Sequence, residues 1–314
     1  MPLHPQCRAL LDEMEAAGVR PFEELTVPEA REAAWGYLAL AGEPQPLASV
    51  EDRYIPGPTA DIHTRIYTPE GGGPRGGIVF FHGSGWVIAN IDICDGAVRS
   101  LARSTGCVVV SVNYQKAPEH KFPIPFDDCW AATNWVHANA AELGIDAGRI
   151  AVAGDSAGGN LAGAVSLRAR DQGGPPIAMQ VLVYPALDYN WDTPSALENA
   201  VGYGLQRETM RWFWNHYVAS PADAENPLVS PLRAPDLSRL PPAFIATAEF
   251  DPLRDDGEAY AARLSEAGVA VTVKRYAGMI HGFYWMLGAI DDARVLHADI
   301  ADAVAGVLGR PVAA

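Results

Sequence analysis

From residue 60 onward, the chain alternates short apolar runs rich in β-branched residues with segments of helical pattern. Six runs predict strands: residues 76–82, 107–114, 149–155, 179–185, 242–251 and 271–276. Helical patterns cover residues 126–143, 158–170, 255–267 and 291–308. This alternation predicts a mostly parallel sheet covered by helices on both faces. Since ligands of such sheets bind at the carboxyl ends of the strands, that edge is where chemistry is expected.

The composition is that of a globular protein with a large core. The 314 residues are 49% hydrophobic and 19% charged, and the formal net charge of −15 argues against a nucleic-acid partner, which needs a basic surface. No apolar run approaches the roughly 18 residues of a membrane span, and the first residues lack the pattern of a secretory signal, so we predict a cytoplasmic protein. The four cysteines are expected to be isolated buried thiols.

Two regions do not follow the alternation. Residues 1–45 contain two helical patterns, at 5–17 and 28–41, and residues 187–232 contain a helical segment with aromatic residues. This aromatic cluster, Trp212, Phe213, Trp214 and Tyr217, is either a core stripe or part of a lid over the strand ends. We predict four segments: N-terminal cap helices at 1–45, the first part of the core at 46–186, a cap insertion at 187–232, and the second part of the core at 233–314.

One strand-to-helix junction carries a serine between two glycines. Gly154 and Gly158 flank Ser156, an apolar run precedes them, and a small-residue helical pattern follows at once. Such a turn strains the serine backbone, and the glycines let strand and helix pass closely. The hydroxyl then stands above the sheet, near the positive end of the helix dipole. We interpret Ser156 as a nucleophile; the alternative is a plain structural turn.

A serine nucleophile needs a base, and the chain has eight histidines. Seven occupy the N-terminal arm, an early strand, helices, the predicted cap, a Pro-rich loop or a glycine turn: His4, His63, His82, His120, His137, His216 and His297. His281 instead follows the last predicted strand, at the carboxyl edge of the sheet. Elimination therefore predicts that His281 is the general base.

The imidazole needs a carboxylate on its second ring nitrogen to fix the tautomer. Asp251 ends a predicted strand at the same edge as Ser156, one connection before His281. The order Ser, Asp, His is the one expected on an α/β-hydrolase sheet. Glu249 has the same strand parity and is the alternative acid. Asp255 and Asp256 are expected to cap the next helix.

A run of small residues follows the strand at 76–82. Gly83, Ser84 and Gly85 leave room for backbone N–H groups to point at one spot, where they can bind the oxyanion of a tetrahedral intermediate. The N–H group of Ala157 is expected to complete this oxyanion hole. The alternative is an ordinary glycine turn.

Four motifs in this order resemble those of the bacterial hormone-sensitive-lipase-like esterases: residues 82–86 (HGSGW), 154–159 (GDSAGG), 251–255 (DPLRD) and 281–283 (HGF). Residues 114–120 also resemble that family's sequence after its fourth strand. The likeness runs from about residue 50 to the C-terminus, and it implies an α/β-hydrolase fold with a helical cap. The chain departs from the family at Ser84, where a glycine is usual.

The resemblance implies hydrolysis of short- to medium-chain carboxylic esters through an acyl-enzyme, with a small-molecule substrate and with no metal or cofactor. Residues expected to line the acyl pocket are Trp86, Leu205, Met210 and Phe213. An amidase or arylacetamide-type deacetylase is an alternative, because the same triad serves amides. A non-catalytic small-molecule receptor on this fold is a further alternative. A homodimer through an exposed edge strand is suggested by analogy alone.

Overall fold

An eight-stranded sheet forms the centre of the protein in the computed structural model, which describes residues 2–309. The strands are β1 (Ser49–Ile55), β2 (Ile62–Thr68), β3 (Arg75–Phe81), β4 (Val108–Asn113), β5 (Ile145–Asp155), β6 (Met179–Val183), β7 (Ala243–Phe250) and β8 (Val271–Ile280). Their order across the sheet is β1-β2-β4-β3-β5-β6-β7-β8. The pairs β1–β2 and β2–β4 are antiparallel, whereas the other pairs are parallel.

The six strands predicted from apolar runs are confirmed as β3 to β8. Every residue of β3 and β6 is buried, because these central strands are covered on both faces. β1 lies at one edge of the sheet and exposes Glu51, Asp52 and Tyr54. β8 lies at the other edge and exposes Thr272, Val273 and Arg275 in its first half, whereas its last three residues are buried.

Helices cover both faces of the sheet. They are α1 (Pro5–Ala16), α2 (Val27–Ala33), α3 (Asp95–Thr105), α4 (Ile124–Ala138), α5 (Ala157–Gln172), α6 (Pro194–Glu198), α7 (Arg207–Tyr217), α8 (Arg254–Glu266) and α9 (Asp291–Leu308). α3 packs against α9, and α4 packs against α5. The predicted helix at 28–41 is α2 followed by a 3₁₀ helix, Ala34–Leu40, in which Gly36 lowers the propensity for α-helix.

The N-terminal arm lies over the carboxyl end of the sheet. The His4 N–H donates to the Gly278 carbonyl in β8 (3.0 Å), and the Arg31 guanidinium donates to the Val87 carbonyl after β3 (2.9 Å). Phe22 of the arm contacts Phe213 of α7 with ring centroids 5.8 Å apart. The arm and α7 therefore lie together above the strand ends.

Two carboxylates at the start of α8 hold the segment that follows β6. Asp256 Oδ2 accepts the N–H groups of Leu187 (3.0 Å) and Asp188 (3.1 Å), and Asp255 Oδ2 accepts the Ser195 N–H (2.7 Å). The prediction that both carboxylates cap their own helix is wrong, because α8 begins at Arg254 and their side chains reach the neighbouring segment. Burial raises the pKa of Asp256 well above its ordinary value.

All four cysteines are buried and unpaired, as predicted. Among residues 2–309, no helix combines the length and apolar character that crossing a membrane requires. The division of the chain at residues 45, 186 and 232 stays a prediction, and its outer ends at residue 1 and residues 310–314 lie outside the described residues.

Two helix glycines differ in how closely the sheet approaches them. A Cβ on Gly257 would lie 2.8 Å from Thr247 Cγ2 and 3.3 Å from Pro185 Cδ, whereas a Cβ on Gly306 meets nothing within 4 Å. We expect Gly306→Ala to raise the free energy of unfolding by about 0.5–1 kcal/mol through helix propensity. Gly257→Ala should lower it by about 1–3 kcal/mol through overpacking. Urea unfolding measures both, and a change of the same sign in the two variants would contradict this account.

Candidate active site

The turn between β5 and α5 holds Ser156 in a conformation that side-chain-bearing residues rarely adopt. Its φ is 54° and its ψ is −120°. A Cβ on Gly154 would lie 2.3 Å from the Gly158 backbone, and a Cβ on Gly158 would lie 1.8 Å from the Phe81 carbonyl oxygen. No side chain fits at either position, so the two glycines allow β3, β5 and α5 to meet at this point.

Three side chains from different strand ends form one hydrogen-bonded line. Ser156 follows β5, Asp251 follows β7 and His281 follows β8. His281 Nε2 lies 2.9 Å from Ser156 Oγ, and His281 Nδ1 lies 2.7 Å from Asp251 Oδ2. Because a carboxylate only accepts, Nδ1 carries the proton and Nε2 is free to accept the serine proton. This arrangement can turn the hydroxyl into a nucleophile.

Asp251 is held from two sides. It is fully buried, and its second oxygen, Oδ1, accepts the Leu253 N–H at 2.8 Å. The alternative acid Glu249 is engaged elsewhere, since its carboxylate accepts the Gly278 N–H at 2.7 Å. The geometry therefore pairs His281 with Asp251.

The imidazole of His281 rests on an aromatic ring. The Tyr184 ring centroid lies 4.4 Å from that of His281, and Tyr184 is fully buried. Its backbone at the end of β6 has a φ of 34°, and its N–H donates to the Ala246 carbonyl at 2.6 Å. This contact restricts rotation of the imidazole and keeps its Nε2 facing Ser156.

The loop after β3 presents backbone N–H groups. Hydrogen bonds to the carbonyls of the same peptides fix the directions of these N–H groups. His82 Nδ1 donates to the Gly83 carbonyl (3.2 Å), and the Val87 and Ile88 N–H groups donate to the Ser84 carbonyl (3.1 and 3.0 Å). In a trans peptide, N–H and C=O point in opposite directions, so the N–H groups of the next residues face away from these bonds. Those N–H groups belong to Ser84 and Gly85.

Neither the Ser84 N–H nor the Gly85 N–H donates to another group among residues 2–309. Ala157 is the first residue of α5, where an N–H has no partner within the helix. These three groups are available to a ligand oxygen. Gly83 is a correction to the sequence-based expectation, because its N–H donates to Asp155 Oδ1 at 2.7 Å and is not available.

Asp155 lies beneath this loop and is 2% exposed. Burial raises its pKa from 3.8 to about 6, while the hydrogen bond from the Gly83 N–H and the nearby His281 lower it. A Cβ on Gly83 would lie 2.3 Å from Asp155 Oδ2, so the contact requires glycine. The carboxylate therefore fastens the start of the loop to the residue before Ser156.

Cap helix α7 packs on the same loop. The Phe213 ring is so close to Gly85 that a Cβ there would lie 2.2 Å from the ring. Trp86 is fully buried, and its ring stacks on Tyr217 at 4.3 Å and 5° and also contacts Trp214 at 4.3 Å. The Trp86 ring thus packs the loop against the cap, and its expected place in the acyl pocket stays a prediction.

The other residues predicted to line the acyl pocket lie in the segment between β6 and β7. Met210 and Phe213 are buried on α7, and Leu205 is partly buried just before it. Phe213, Trp214 and Tyr217 of the aromatic cluster are buried, as the core alternative expects, and Phe213 also covers the Gly85 turn. The lid alternative stays a prediction.

Sequence reasoning missed three residues of this site: Asp155, Tyr114 and Tyr184. A carboxylate at the end of an apolar strand was the available signal for Asp155, because a buried charge requires a partner. Tyr114 lies in the stretch that resembles the family. Its hydroxyl is hydrogen-bonded to Ser84 Oγ and to the His82 carbonyl, and these contacts join residues 30 and 32 positions apart, which no local pattern shows. Nothing in the sequence marks Tyr184 as the ring beneath His281.

Comparison with known proteins agrees with this geometry. A family model described as an α/β-hydrolase fold matches residues 78–285. Esterase LipI of Mycobacterium tuberculosis is 43% identical over 255 residues, which cover 79% of each chain. The chain belongs to the hormone-sensitive-lipase-like esterase family of α/β hydrolases. The resemblance of the four sequence motifs to this family is therefore confirmed.

Two further relatives cover almost the whole hydrolase. The arylesterase of Saccharolobus solfataricus is 39% identical over 284 residues, which are 90% of this chain and 92% of the relative. The solved structure of the hyperthermophilic esterase of Pyrobaculum calidifontis superposes with a TM-score of 0.93 at 41% identity, covering 98% of this chain and 99% of that one. The predicted fold class is therefore confirmed for this α/β hydrolase.

The buried Asp155 predicts a pH dependence of stability. The pKa of this group is about 6 in the folded hydrolase and 3.8 ordinarily, so its stabilising contribution is complete below about pH 3.8 and is lost as pH rises through 6. Asp155→Asn keeps the shape and the acceptor oxygen but does not titrate. We expect the unfolding free energy of the wild type, relative to the variant, to fall by about 2 kcal/mol between about pH 4.5 and pH 7.

Urea unfolding at several pH values measures this difference. Asp12→Asn, on the exposed side of α1, is the control for loss of one carboxylate. Parallel pH curves for the wild type and Asp155→Asn would contradict the assignment.

Proposed function

We propose that this hydrolase is a carboxylesterase that cleaves short- to medium-chain carboxylic esters through an acyl-enzyme intermediate. The observation that carries the proposal is the continuous line from Ser156 Oγ to His281 Nε2 at 2.9 Å and from His281 Nδ1 to Asp251 at 2.7 Å. These contacts lie at the carboxyl edge of the sheet, beside three available backbone N–H groups. Relatives named esterase and arylesterase support an ester as substrate over an amide.

In the first step, Ser156 Oγ attacks the ester carbonyl carbon while His281 Nε2 takes the hydroxyl proton. Asp251 stabilises the imidazolium that forms. The carbonyl oxygen becomes an oxyanion and accepts hydrogen bonds from N–H groups of the loop after β3 and the first turn of α5. These donors are already oriented in the free enzyme, so little reorganisation is needed as charge develops.

In the second step, the tetrahedral intermediate collapses and His281 gives its proton to the leaving alcohol. The acyl group stays on Ser156 Oγ as an ester. Water then attacks the acyl carbon while His281 removes a proton from the water. The second tetrahedral intermediate collapses, His281 returns this proton to Ser156 Oγ, and the carboxylic acid leaves. Every proton is carried by the imidazole, so the reaction as proposed uses no cofactor.

The acyl group is proposed to lie beneath the cap, next to Leu205, Met210 and Phe213. Phe213 supports this placement because its ring covers Gly85, one of the proposed oxyanion donors. Met210 lies almost one turn earlier on the same helix and is also buried. An apolar pocket closed by a helix on one side limits the length of the acyl chain that fits.

We propose two further properties of this hydrolase, both of which the sequence predicts. One is a cytoplasmic location. The other is a homodimer through an exposed edge strand, for which β8 offers an outer backbone edge and the half-exposed Val273.

Replacing Ser156 by alanine tests the nucleophile. We expect kcat for p-nitrophenyl butyrate to fall by about 10⁴- to 10⁶-fold, the scale seen when a catalytic triad is broken. Labelling by a fluorophosphonate probe should be lost as well. The matched control is Ser166→Ala, which removes a buried serine hydroxyl from the middle of α5, far from the turn that holds Ser156. Retained hydrolysis in Ser156→Ala would refute the proposal.

Truncating the cap side chains tests the acyl pocket. Met210→Ala and Phe213→Ala enlarge the proposed pocket, so the ratio of kcat/KM for octanoate to that for butyrate should rise, by up to about fourfold for each additional buried methylene. The ratio cancels any effect that the variants share across substrates. Asn215→Ala, on the exposed side of α7, should leave the ratio unchanged. An unchanged ratio in both pocket variants would remove them from the proposed pocket.

A further inference from the structure

We propose that Ser84 and Tyr114 are positioning residues for the oxyanion hole. Their hydroxyls form a hydrogen-bond chain that holds the loop carrying the proposed donors in the shape that binds the oxyanion. Ser84 supplies this link at a position where the family usually has glycine. The inference rests on the proposed ester hydrolysis and adds to it two residues that touch neither substrate nor reacting atoms through their side chains.

The chain runs in one direction. Trp86 N–H donates to Ser84 Oγ at 3.0 Å, and Tyr114 Oη donates to the His82 carbonyl at 2.7 Å. Ser84 Oγ and Tyr114 Oη lie 2.6 Å apart. Since the Tyr114 proton is used on a carbonyl, which only accepts, the Ser84 hydroxyl must donate to Tyr114. Each hydroxyl therefore donates one bond and accepts one.

The chain is shielded from water. Ser84 is 5% exposed and Tyr114 is fully buried. The Tyr114 ring also stacks on His82, with centroids 4.6 Å apart and planes at 15°. Where water cannot replace a lost partner, removing one hydroxyl leaves buried polar groups unsatisfied, and the backbone must shift to recover them.

The loop tolerates a side chain at Ser84 but not at its neighbours. Ser84 does not have a positive φ, whereas Gly85 has a φ of +52° and the ring of Phe213 against it. A Cβ on Gly83 is blocked by Asp155. Ser84 is thus the one position of this tripeptide where a hydroxyl can be added without displacing the backbone.

The chain braces the same peptides that carry the proposed donors. The Ser84 N–H and the Gly85 N–H belong to the peptide planes on either side of the Ser84 Cα. Through Oγ, that residue is tied to Tyr114, directly after β4, and so to the rigid sheet. The bonds to the Gly83 and Ser84 carbonyls set the direction of each peptide, and the brace sets the position of the loop relative to the sheet. Without the brace, a small shift of the loop would move both N–H groups away from the oxyanion. Such misplacement lowers transition-state binding more than ground-state binding.

The test uses Ser84→Ala, Ser84→Gly and Tyr114→Phe in the full chain. We expect each to lower kcat for p-nitrophenyl butyrate by about 10-fold, with KM changed by less than about twofold, because the brace acts on the transition state. The kcat of the double variant Ser84→Ala/Tyr114→Phe should be no lower than that of the less active single variant, since both substitutions break the same chain. Ser84→Gly should lose at least as much as Ser84→Ala, because glycine also frees the backbone.

A trifluoromethyl ketone provides a readout of the oxyanion hole itself. Ser156 Oγ adds to the ketone carbon, its proton passes to His281, and the ketone oxygen becomes the anion of a hemiketal. The inhibition constant should rise by the same factor as kcat falls. Ser166→Ala and Tyr260→Phe remove buried hydroxyls of α5 and α8 and should leave both values unchanged. Complete labelling by a fluorophosphonate at long times confirms an intact Ser156 in every variant.

The outcomes separate the two proposals. A wild-type protein that hydrolyses no ester overturns the proposed function, and this inference with it. An active wild type whose Ser84→Ala and Tyr114→Phe variants keep kcat and the inhibition constant, with or without a lower melting temperature, overturns this inference alone. A parallel change in kcat and the inhibition constant, at unchanged KM, supports it.

Discussion

The contact on which the site depends is the approach of the α5 backbone to the Phe81 carbonyl at the end of β3. A Cβ on Gly158 would lie 1.8 Å from that oxygen, so the helix reaches the strand only because the residue is glycine. This approach brings the start of α5 next to the loop that follows β3. It therefore sets how close Ala157 lies to Ser84 and Gly85, and without it no common binding point for an oxygen would form.

Around that contact, the direction of each N–H group is fixed by a hydrogen bond elsewhere in the same peptide. His82 holds the Gly83 carbonyl, and Val87 and Ile88 hold the Ser84 carbonyl. Burial keeps these bonds free from competition by water. Burial also lowers the pKa of His82 to about 3, so its ring stays neutral. The site is thus electrostatically prepared before any substrate binds.

The cap is part of this preparation. Phe213 and the stack of Trp86 on Tyr217 pack α7 against the loop. Hydrogen bonds to Asp255 and Asp256 hold the segment before α7 on the core. The helix proposed to close the acyl pocket therefore also supports the loop of the proposed oxyanion donors. A change in the cap is transmitted to the oxyanion loop through direct packing.

The sequence by itself determined the alternation of strands and helices, the serine turn and the order of Ser156, Asp251 and His281, because these depend on local periodicity, glycine and position at strand ends. Tertiary structure alone decided which N–H groups are available, since the engagement of Gly83 with Asp155 joins residues 72 apart. The same holds for the contact between Ser84 and Tyr114 and for the Tyr184 ring beneath His281. Such pairings depend on how the strands lie side by side, which no local pattern records.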